Sequence, residues 1–230
     1  WARYHDCITA MDKQVGQLLQ QLAQDGLAGD TIVFFYGDNG MGLPRGKRCL
    51  FDTGLQIPLL VRFPEKFRSL APGAPGGTTD RLVSFVDFAP TVLGLCGVNA
   101  PNHMQGAAFL GPSAGPPREF VFGARDRVDE AFDLSRSVRD GRFLYIRNFM
   151  PHLSWMPPER YSDASTFRRE LKRLAGAGKL SAGPLAYAAP RKSLEELYDS
   201  DADPHQIRNL AASPAHEATL VRMRRVLREW

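Results

Sequence analysis

The segment TIVFFYGDN, residues 31–39, places a continuous apolar run directly before an acidic and an amide side chain. The run is rich in β-branched and aromatic residues between turn signals, which predicts a strand covered on both faces. A second such run follows at residues 57–63. Apolar residues at helical spacing from Tyr4 to Leu22 predict a helix before the first strand. This order of elements predicts an α/β fold with a mostly parallel sheet flanked by helices.

The pattern changes after the Gly- and Pro-rich segment at residues 111–117, GPSAGPP. Short β patterns follow, including a hairpin over residues 135–148 that turns at Asp140 and Gly141. A helix is predicted over residues 165–178, and an amphipathic helix closes the chain. We therefore predict two domains: residues 1–112 in the α/β domain, and residues 113–230 in a small α+β C-terminal subdomain with an antiparallel sheet.

Composition limits the partners. The net charge of +4 is weak and spread over both halves of the 230 residues, so no nucleic-acid partner is expected. No apolar run approaches the roughly 18 residues of a membrane span, so no membrane partner is expected either. Cys7, Cys49 and Cys96 form neither a zinc pattern nor a disulfide framework, and they leave the compartment unassigned.

Asp38 and Asn39 are the first candidate site residues. They follow the first predicted strand, and ligands of α/β sheets gather at the carboxyl ends of strands. Carboxylate and amide oxygens are hard ligands that suit Ca²⁺ or Mg²⁺. Two ligands do not complete a calcium site, which needs six to eight oxygens. The alternative is an Asx turn, in which Asp-Asn-Gly ends the strand for backbone reasons alone.

Lys47 lies in the glycine-rich loop that follows, GDNGMGLPRGK. A lysine near a bound metal would neutralise charge on the oxygens of a metal-bound anion. The alternative is a solvated loop lysine, and Arg45 and Arg48 have the same alternative.

An ordered series of segments resembles the sulfatase family of the alkaline-phosphatase superfamily. The series covers nearly the whole chain. It consists of ITAMDKQVGQLLQQL, DTIVFFYGDNG, Lys47, GLQIPLLVRFP, LVSFVDFAPTVLGLCGV and ELYDSDADPHQIRNLA. Within the family, the short loop from DNG to LPRGK, the STFRREL helix and the DPHQIRNLA ending resemble heparan N-sulfatase (sulfamidase) and its bacterial relatives.

The resemblance implies an alkaline-phosphatase-like fold and a role for each matched residue. Asp38 and Asn39 become calcium ligands, with Mg²⁺ as the other possible ion, and Lys47 becomes a catalytic residue that binds the sulfate. Sulfamidases can carry arginine in place of Lys47, and FDTG stands where many sulfatases have Tyr-Glu-Gly-Gly. Arg125 and Asp126 follow a predicted strand and would bind an anionic sugar, with a salt-bridged strand end as the alternative.

Sulfatases use a formylglycine nucleophile made from a C/S-x-P-x-R motif, and no cysteine or serine here begins that motif. The resemblance therefore implies that the nucleophile and the remaining calcium ligands lie on an N-terminal part of the same polypeptide. We expect this chain alone to be inactive. The expected substrate is a sulfated small molecule or glycan. The resemblance to the sulfatase family favours a periplasmic, secreted or lysosomal location.

Two other functions stay open. A phosphodiesterase or phosphonate hydrolase could be built on the same sheet, and the nucleophile motif would distinguish it from a sulfatase. The chain could also belong to a non-catalytic module that binds sulfated glycans. That reading requires that no upstream segment carries the nucleophile motif and an aspartate pair.

Overall fold

A computed structural model describes residues 2–230. In chain order the elements are α1 Ala2–Gln24, β1 Val33–Tyr36, α2 Asp52–Leu55, β2 Leu59–Arg62, α3 Phe88–Leu95, β3 Val121–Val128, β4 Ala131–Arg139, β5 Phe143–Asn148, α4 Arg160–Asp163, α5 Thr166–Gly176, α6 Ala182–Ala188, β6 Glu195–Asp199 and α7 Glu217–Glu229. Short 3₁₀ helices cover Glu65–Leu70, Phe85–Asp87 and Pro214–His216. None of the helices in this part of the chain is long and apolar enough to cross a bilayer.

The chain forms two compact units. The first comprises residues 2–36, Leu59–Thr79 and Ser84–Pro116, and the second comprises Gly37–Pro58, Asp80–Val83 and Pro117–Trp230. The loop between β1 and β2 thus belongs to the same unit as the C-terminal sheet. The domain boundary predicted between residues 112 and 113 stays a prediction.

The first unit contains α1, β1, β2 and α3. Helix α1 forms where its spacing predicts it and stops before Gly26, which has the left-handed backbone (φ +72°) common at helix ends. Its apolar residues Ile8, Met11 and Leu18 remain exposed among the described residues. Strand β1 is half-buried and ends in an exposed Tyr36, so the full cover predicted for it is not observed within residues 2–230.

Strands β1 and β2 pair antiparallel, with Val33 opposite Arg62 and Tyr36 opposite Leu59. This corrects the parallel arrangement predicted for these two strands. A parallel pair needs a crossover connection, usually a helix, on one face of the sheet. The connecting segment contains only the single turn of α2, so the chain returns alongside β1 instead.

An aromatic cluster holds the first unit together beside β1. Phe88 of α3 packs with Phe34, Tyr36, Phe85 and Phe109 at ring centroid distances of 4.8 to 6.3 Å. Tilted and edge-on aromatic pairs at such distances contribute beyond their buried area. The cluster therefore fixes the strand that leads into the predicted site.

The second unit is built on a four-stranded antiparallel sheet in the order β3-β4-β5-β6. The hairpin of β4 and β5 turns where it was predicted, with the amide of Asp140 donating to the carbonyl of Phe143. The small antiparallel sheet and its closing helix α7 confirm the predicted α+β architecture of this region.

Two hydrophobic cores cover opposite faces of this sheet, because successive side chains of a strand point to opposite sides. Leu144 and Ile146 of β5 face one core, whereas Tyr145 faces the other. The second core includes Leu220 and Met223 of α7. The first core is completed by Cys49, Leu50 and Phe51 from the β1–β2 loop and by Trp155, Met156 and Tyr187. The loop that carries the predicted site is therefore part of the core of the second unit.

Candidate active site

Asp38 and Asn39 lie at the carboxyl end of β1, as predicted. The amide of Gly37 donates to the carbonyl of Pro58 at 3.2 Å, which continues the strand pairing by one residue. Asp38 is exposed and Asn39 is half-buried. Neither side chain makes a hydrogen bond or an ion pair with any of residues 2–230. Their oxygens are therefore available to a ligand, and they are the donor types that Ca²⁺ and Mg²⁺ prefer.

Close backbone contacts shape the loop after Asn39. The amide of Gly40 donates to the carbonyl of Gly54 at 2.9 Å. A Cβ atom on Gly40 would lie 2.0 Å from the carbonyl oxygen of Thr53, and one on Gly46 would lie 2.2 Å from that of Met41. Only glycine fits such approaches of one backbone segment to another. The glycines that follow Asp38 thus fold the loop tightly onto α2.

Lys47 is exposed, and its side chain has no hydrogen-bond or ion-pair partner among residues 2–230. Its backbone is held firmly, because its amide donates to the carbonyl of Met41 at 2.8 Å. Asp38, Asn39 and Lys47 therefore share one loop. In a unit rich in ion pairs, all three keep unpartnered polar side chains.

Arg45 and Arg48 flank Lys47, and both differ from the solvated residues that the sequence suggested. Each has a left-handed backbone, with φ of 65° for Arg45 and 76° for Arg48. This conformation costs a residue other than glycine on the order of 1 kcal/mol or more. Both guanidinium groups contact protein groups that are distant in sequence. Arg45 donates to the backbone carbonyls of residues 205 and 206. Arg48 donates to the side chains of Glu159, Ser162 and Asp129.

Arg125 lies in the interior, at 7 % exposure. Its Nε is 3.1 Å from Oδ2 of Asp133, and its guanidinium lies 5.4 Å from the ring of Trp155. One Nη is 3.9 Å from Sγ of Cys49, so Arg125 contacts the site loop. These contacts are those expected if Arg125 belongs to a salt-bridged strand end, the alternative to sugar binding. The sugar contact of Arg125 stays a prediction.

Asp126 lies at a β-bulge, where the pairing register of β3 against β4 shifts between Arg125 and Arg127. Successive residues of a strand point to opposite faces, so Asp126 is exposed although Arg125 beside it is buried. The exposed carboxylate of Asp126 pairs with Arg136 at 2.6 Å. The sugar contact proposed for Asp126 likewise stays a prediction.

A buried polar network lies beneath Arg125. Lys192 pairs with Asp133 at 2.7 Å, and Trp155 donates its indole N–H to Glu196 at 2.9 Å. Burial raises the pKa of Glu196 and lowers the pKa of Lys192, because burial disfavours either charged form. Lys192 is paired with Asp133, and Glu196 accepts hydrogen bonds from neutral donors of Trp155, Asn148 and Tyr198. The polar atoms of Lys192 and Glu196 are thus engaged inside the protein and are not open to a ligand.

Among residues 2–230, three metal-ligating acidic groups converge only at Asp129, Glu130 and Glu159. Arg48 pairs with both Asp129 and Glu159, and the amide of Arg160 donates to Glu130 at 2.6 Å. Burial alone would raise the pKa of Glu159, but hydrogen bonds from residues 161 and 162 and the charge of Arg48 hold it below its usual value. The protein itself thus satisfies this cluster.

The sulfatase family model matches residues 1–98. An ulvan-active sulfatase of Formosa agariphila is 42 % identical over the whole chain, and the chain spans 37 % of its length. Human N-sulphoglucosamine sulphohydrolase is 28 % identical over the whole chain, which spans 47 % of that protein. The chain therefore spans less than half the length of these relatives.

A solved structure shares the fold. It contains a protein in complex with its substrate, D-glucosamine-2-N,6-O-disulfate, and superposes on 96 % of this chain with a TM-score of 0.68 and 20 % identity. The match covers 38 % of that protein. It confirms the predicted fold class, an alkaline-phosphatase-like α/β architecture followed by the small antiparallel subdomain. The match to the family model, the aligned relatives and the shared fold agree that this chain belongs to the sulfatase family.

Proposed function

We propose that this chain forms one wall of the active site of a calcium-dependent sulfatase that hydrolyses sulfate esters or N-sulfates of an anionic sugar. The observation that carries the proposal is the loop from Gly37 to Pro58. There, two hard oxygen donors and one cation have no protein partner, although their backbone is tightly held. A ligand-binding residue must keep its polar atoms available, and these three side chains do so on one tightly held loop.

The residues present fit a calcium ion. Asp38 supplies a carboxylate and Asn39 a side-chain carbonyl, both at a strand end where they can point outward together. They provide two of the six to eight oxygens that calcium requires, so further ligands must come from other residues of the polypeptide. A bound calcium ion would supply positive charge that stabilises the oxygens of a sulfate group.

Lys47 would bind the same sulfate. An ammonium on a flexible stem donates to an anionic oxygen with a charge-assisted hydrogen bond, which is stronger than a neutral one. Because charge on the sulfate oxygens changes during S–O or S–N cleavage, a cation fixed beside them stabilises the transition state. Asp38 could also orient or deprotonate a nucleophile that lies near the metal.

The nucleophile would be a formylglycine in the remainder of the polypeptide, where it would attack the sulfur atom. None of the 230 residues starts a C/S-x-P-x-R motif, so this chain alone should have no sulfatase activity. The substrate would be a sulfated glycan, because the relatives named above act on ulvan and on N-sulphoglucosamine. The family resemblance alone favours a periplasmic, secreted or lysosomal enzyme.

The test is sulfate release by the full-length protein from 4-nitrophenyl sulfate and from N-sulfoglucosamine, with a phosphodiester and a phosphonate monoester as comparison substrates. We expect hydrolysis of at least one sulfated substrate in preference to the phosphorus compounds. The reverse preference would support a phosphodiesterase or phosphonate hydrolase. Binding of sulfated glycans without any turnover would support a non-catalytic module.

The Lys47→Ala variant tests the role of the loop. Loss of one charge-stabilising donor typically lowers kcat about 100- to 1,000-fold, and we expect a loss of kcat/KM of this order with sulfate esters. Lys179→Ala is the matched control, because Lys179 is also exposed and has no hydrogen-bond or ion-pair partner among residues 2–230. Equal kinetics for both variants would assign Lys47 to a solvated loop.

A further inference from the structure

The two arginines beside Lys47 attach its backbone to separate parts of the second unit. Arg45 donates to the carbonyls of His205 and Gln206, at 2.7 Å each. Its guanidinium also stacks on the ring of Phe51 at 4.0 Å, and Phe51 belongs to the hydrophobic core. Arg45 is therefore fixed on both its polar edge and its flat face.

Arg48 makes a different set of contacts. It pairs with the buried Glu159, donates to the hydroxyl of Ser162 at 2.8 Å and pairs with Asp129 at 2.7 Å. Its guanidinium lies 5.3 Å from the ring of Tyr161. Glu159 accepts from the amides at the start of α4, so Arg48 is tied to the end of a helix.

The backbone between the two arginines is held on each side. Thr53 donates its hydroxyl to the carbonyl of Arg45 at 2.6 Å, and the amide of Lys47 donates to Met41. Both arginines have positive φ, a conformation that persists only when surrounding contacts enforce it. Removal of either set of contacts would allow the segment to relax to a more common backbone conformation.

We propose that Arg45 and Arg48 are positioning residues that hold Lys47 where it binds the sulfate. The inference rests on the proposed function. Both guanidinium groups are engaged with protein atoms, so they act through the backbone of Lys47 rather than on the anion itself. A displacement of about 1 Å at a catalytic group can lower the rate about 100-fold. The contacts of Arg45 and Arg48 that hold the backbone of Lys47 should therefore affect turnover.

The test is a double-mutant cycle in the full-length protein, with kcat/KM for a sulfate ester and the inhibition constant of inorganic sulfate as readouts. Arg45→Ala should lower kcat/KM about 10- to 100-fold when Lys47 is present. In the Lys47→Ala background the same change should have an effect below about threefold, because the side chain that it positions is already gone. The inhibition constant should follow the same pattern.

Two further variants separate positioning from stability. Arg48→Lys keeps the charge beside Glu159 but loses the planar fork, and we expect a smaller loss of the same non-additive kind. Arg224→Ala removes an ion pair to Glu195 from α7, on the opposite face of the sheet from Phe51. It should lower the melting temperature and leave kcat/KM unchanged.

Three outcomes are distinguishable. Non-additive losses with Lys47 support the positioning role. The positioning role would be overturned if Arg45→Ala lowered kcat/KM equally with and without Lys47. It would also be overturned if Arg45→Ala and Arg48→Lys had parental kinetics while Lys47→Ala was impaired. Parental kinetics for Lys47→Ala would instead overturn the proposed function of Lys47, on which the inference rests.

Discussion

Individual glycines of the site loop have very different surroundings. At Gly40 an added Cβ would lie 2.0 Å from the carbonyl oxygen of Thr53 and 2.6 Å from the Cα of Gly54. At Gly42 nothing lies within 4 Å of that position. The neighbours of Gly40 are backbone atoms, which cannot move aside as a flexible side chain can. The two positions therefore form a matched pair within one loop.

We predict that Gly40→Ala lowers the free energy of unfolding by about 1 to 3 kcal/mol, the usual range for overpacking, and impairs turnover as the loop moves. Gly42→Ala should change neither quantity measurably. Urea denaturation and sulfate release of the full-length variants measure the two effects. Equal stability of the two variants would contradict the close packing of Gly40 against α2.

The sequence names candidate site residues but not the contacts that support them. Asp38, Asn39 and Lys47 could be named as candidates because their order after a strand is local and the family resemblance assigns a role to that order. Arg45 could not be assigned a role, since its hydrogen-bond partners lie 160 and 161 positions away along the chain. Local spacing carries no information on such contacts. The contact of Arg125 with Cys49, 76 positions away along the chain, was hidden for the same reason.

At the scale of elements, one ion pair joins β6 to α7. Arg224 donates to both carboxylate oxygens of Glu195, at 2.7 and 2.5 Å, and the hydroxyl of Tyr145 donates to the same group. The hydrogen bond from Arg224 is the main cause that lowers the pKa of Glu195 to about 2, with burial opposing it and Tyr145 adding to it. A carboxylate with a lowered pKa stabilises the fold above its ordinary pKa, and that contribution is lost as pH falls towards the lowered value.

We predict that Arg224→Ala lowers the free energy of unfolding by about 1 to 2 kcal/mol at pH 7. The difference from the parent protein should narrow as pH falls from about 4.5 towards 2, because Glu195 then becomes protonated in both states. Arg225→Ala on the same helix is the control, since its 4.0 Å pair with Glu229 is exposed. A difference that stays constant down to pH 3 would contradict the assignment to Glu195.

Element order and the antiparallel C-terminal sheet were predicted well, but the direction of β2 relative to β1 was not. Helix α1, the hairpin of β4 and β5 and helix α7 form where periodicity and turn residues place them. The pairing of β1 with β2 is antiparallel because the segment between them packs into another unit instead of forming a crossover helix. The apolar pattern of a strand does not specify the direction of its neighbour.

At the scale of the molecule, the site loop is inseparable from the C-terminal sheet. Phe51 is 2 % exposed and lies 5.0 Å from the ring of Trp155 and 5.9 Å from that of Tyr198. Its other face carries Arg45. The residues that the family resemblance assigns to catalysis are thus supported by the core of the small subdomain, which gives that subdomain a role in the geometry of the site.

We predict that Phe51→Ala costs about 3 to 5 kcal/mol of unfolding free energy, the usual range for truncating a buried aromatic side chain. Phe132→Ala should change stability by less than about 0.5 kcal/mol, because Phe132 is 62 % exposed on the same sheet. Urea denaturation of the full-length variants checks both values. Similar losses for the two variants would contradict the anchoring role of Phe51.

Calcium titration of the Asp38→Ala variant tests the central claim most directly. The full-length protein, stripped of metal with a chelator, should bind calcium in a calorimeter and regain sulfate release. Asp38→Ala should bind calcium at least about 100-fold more weakly and show no turnover, because the ion loses a charged ligand. Asp30→Ala, which removes an exposed partner of Lys66, should behave as the parent. Parental calcium affinity and turnover in Asp38→Ala would contradict the account.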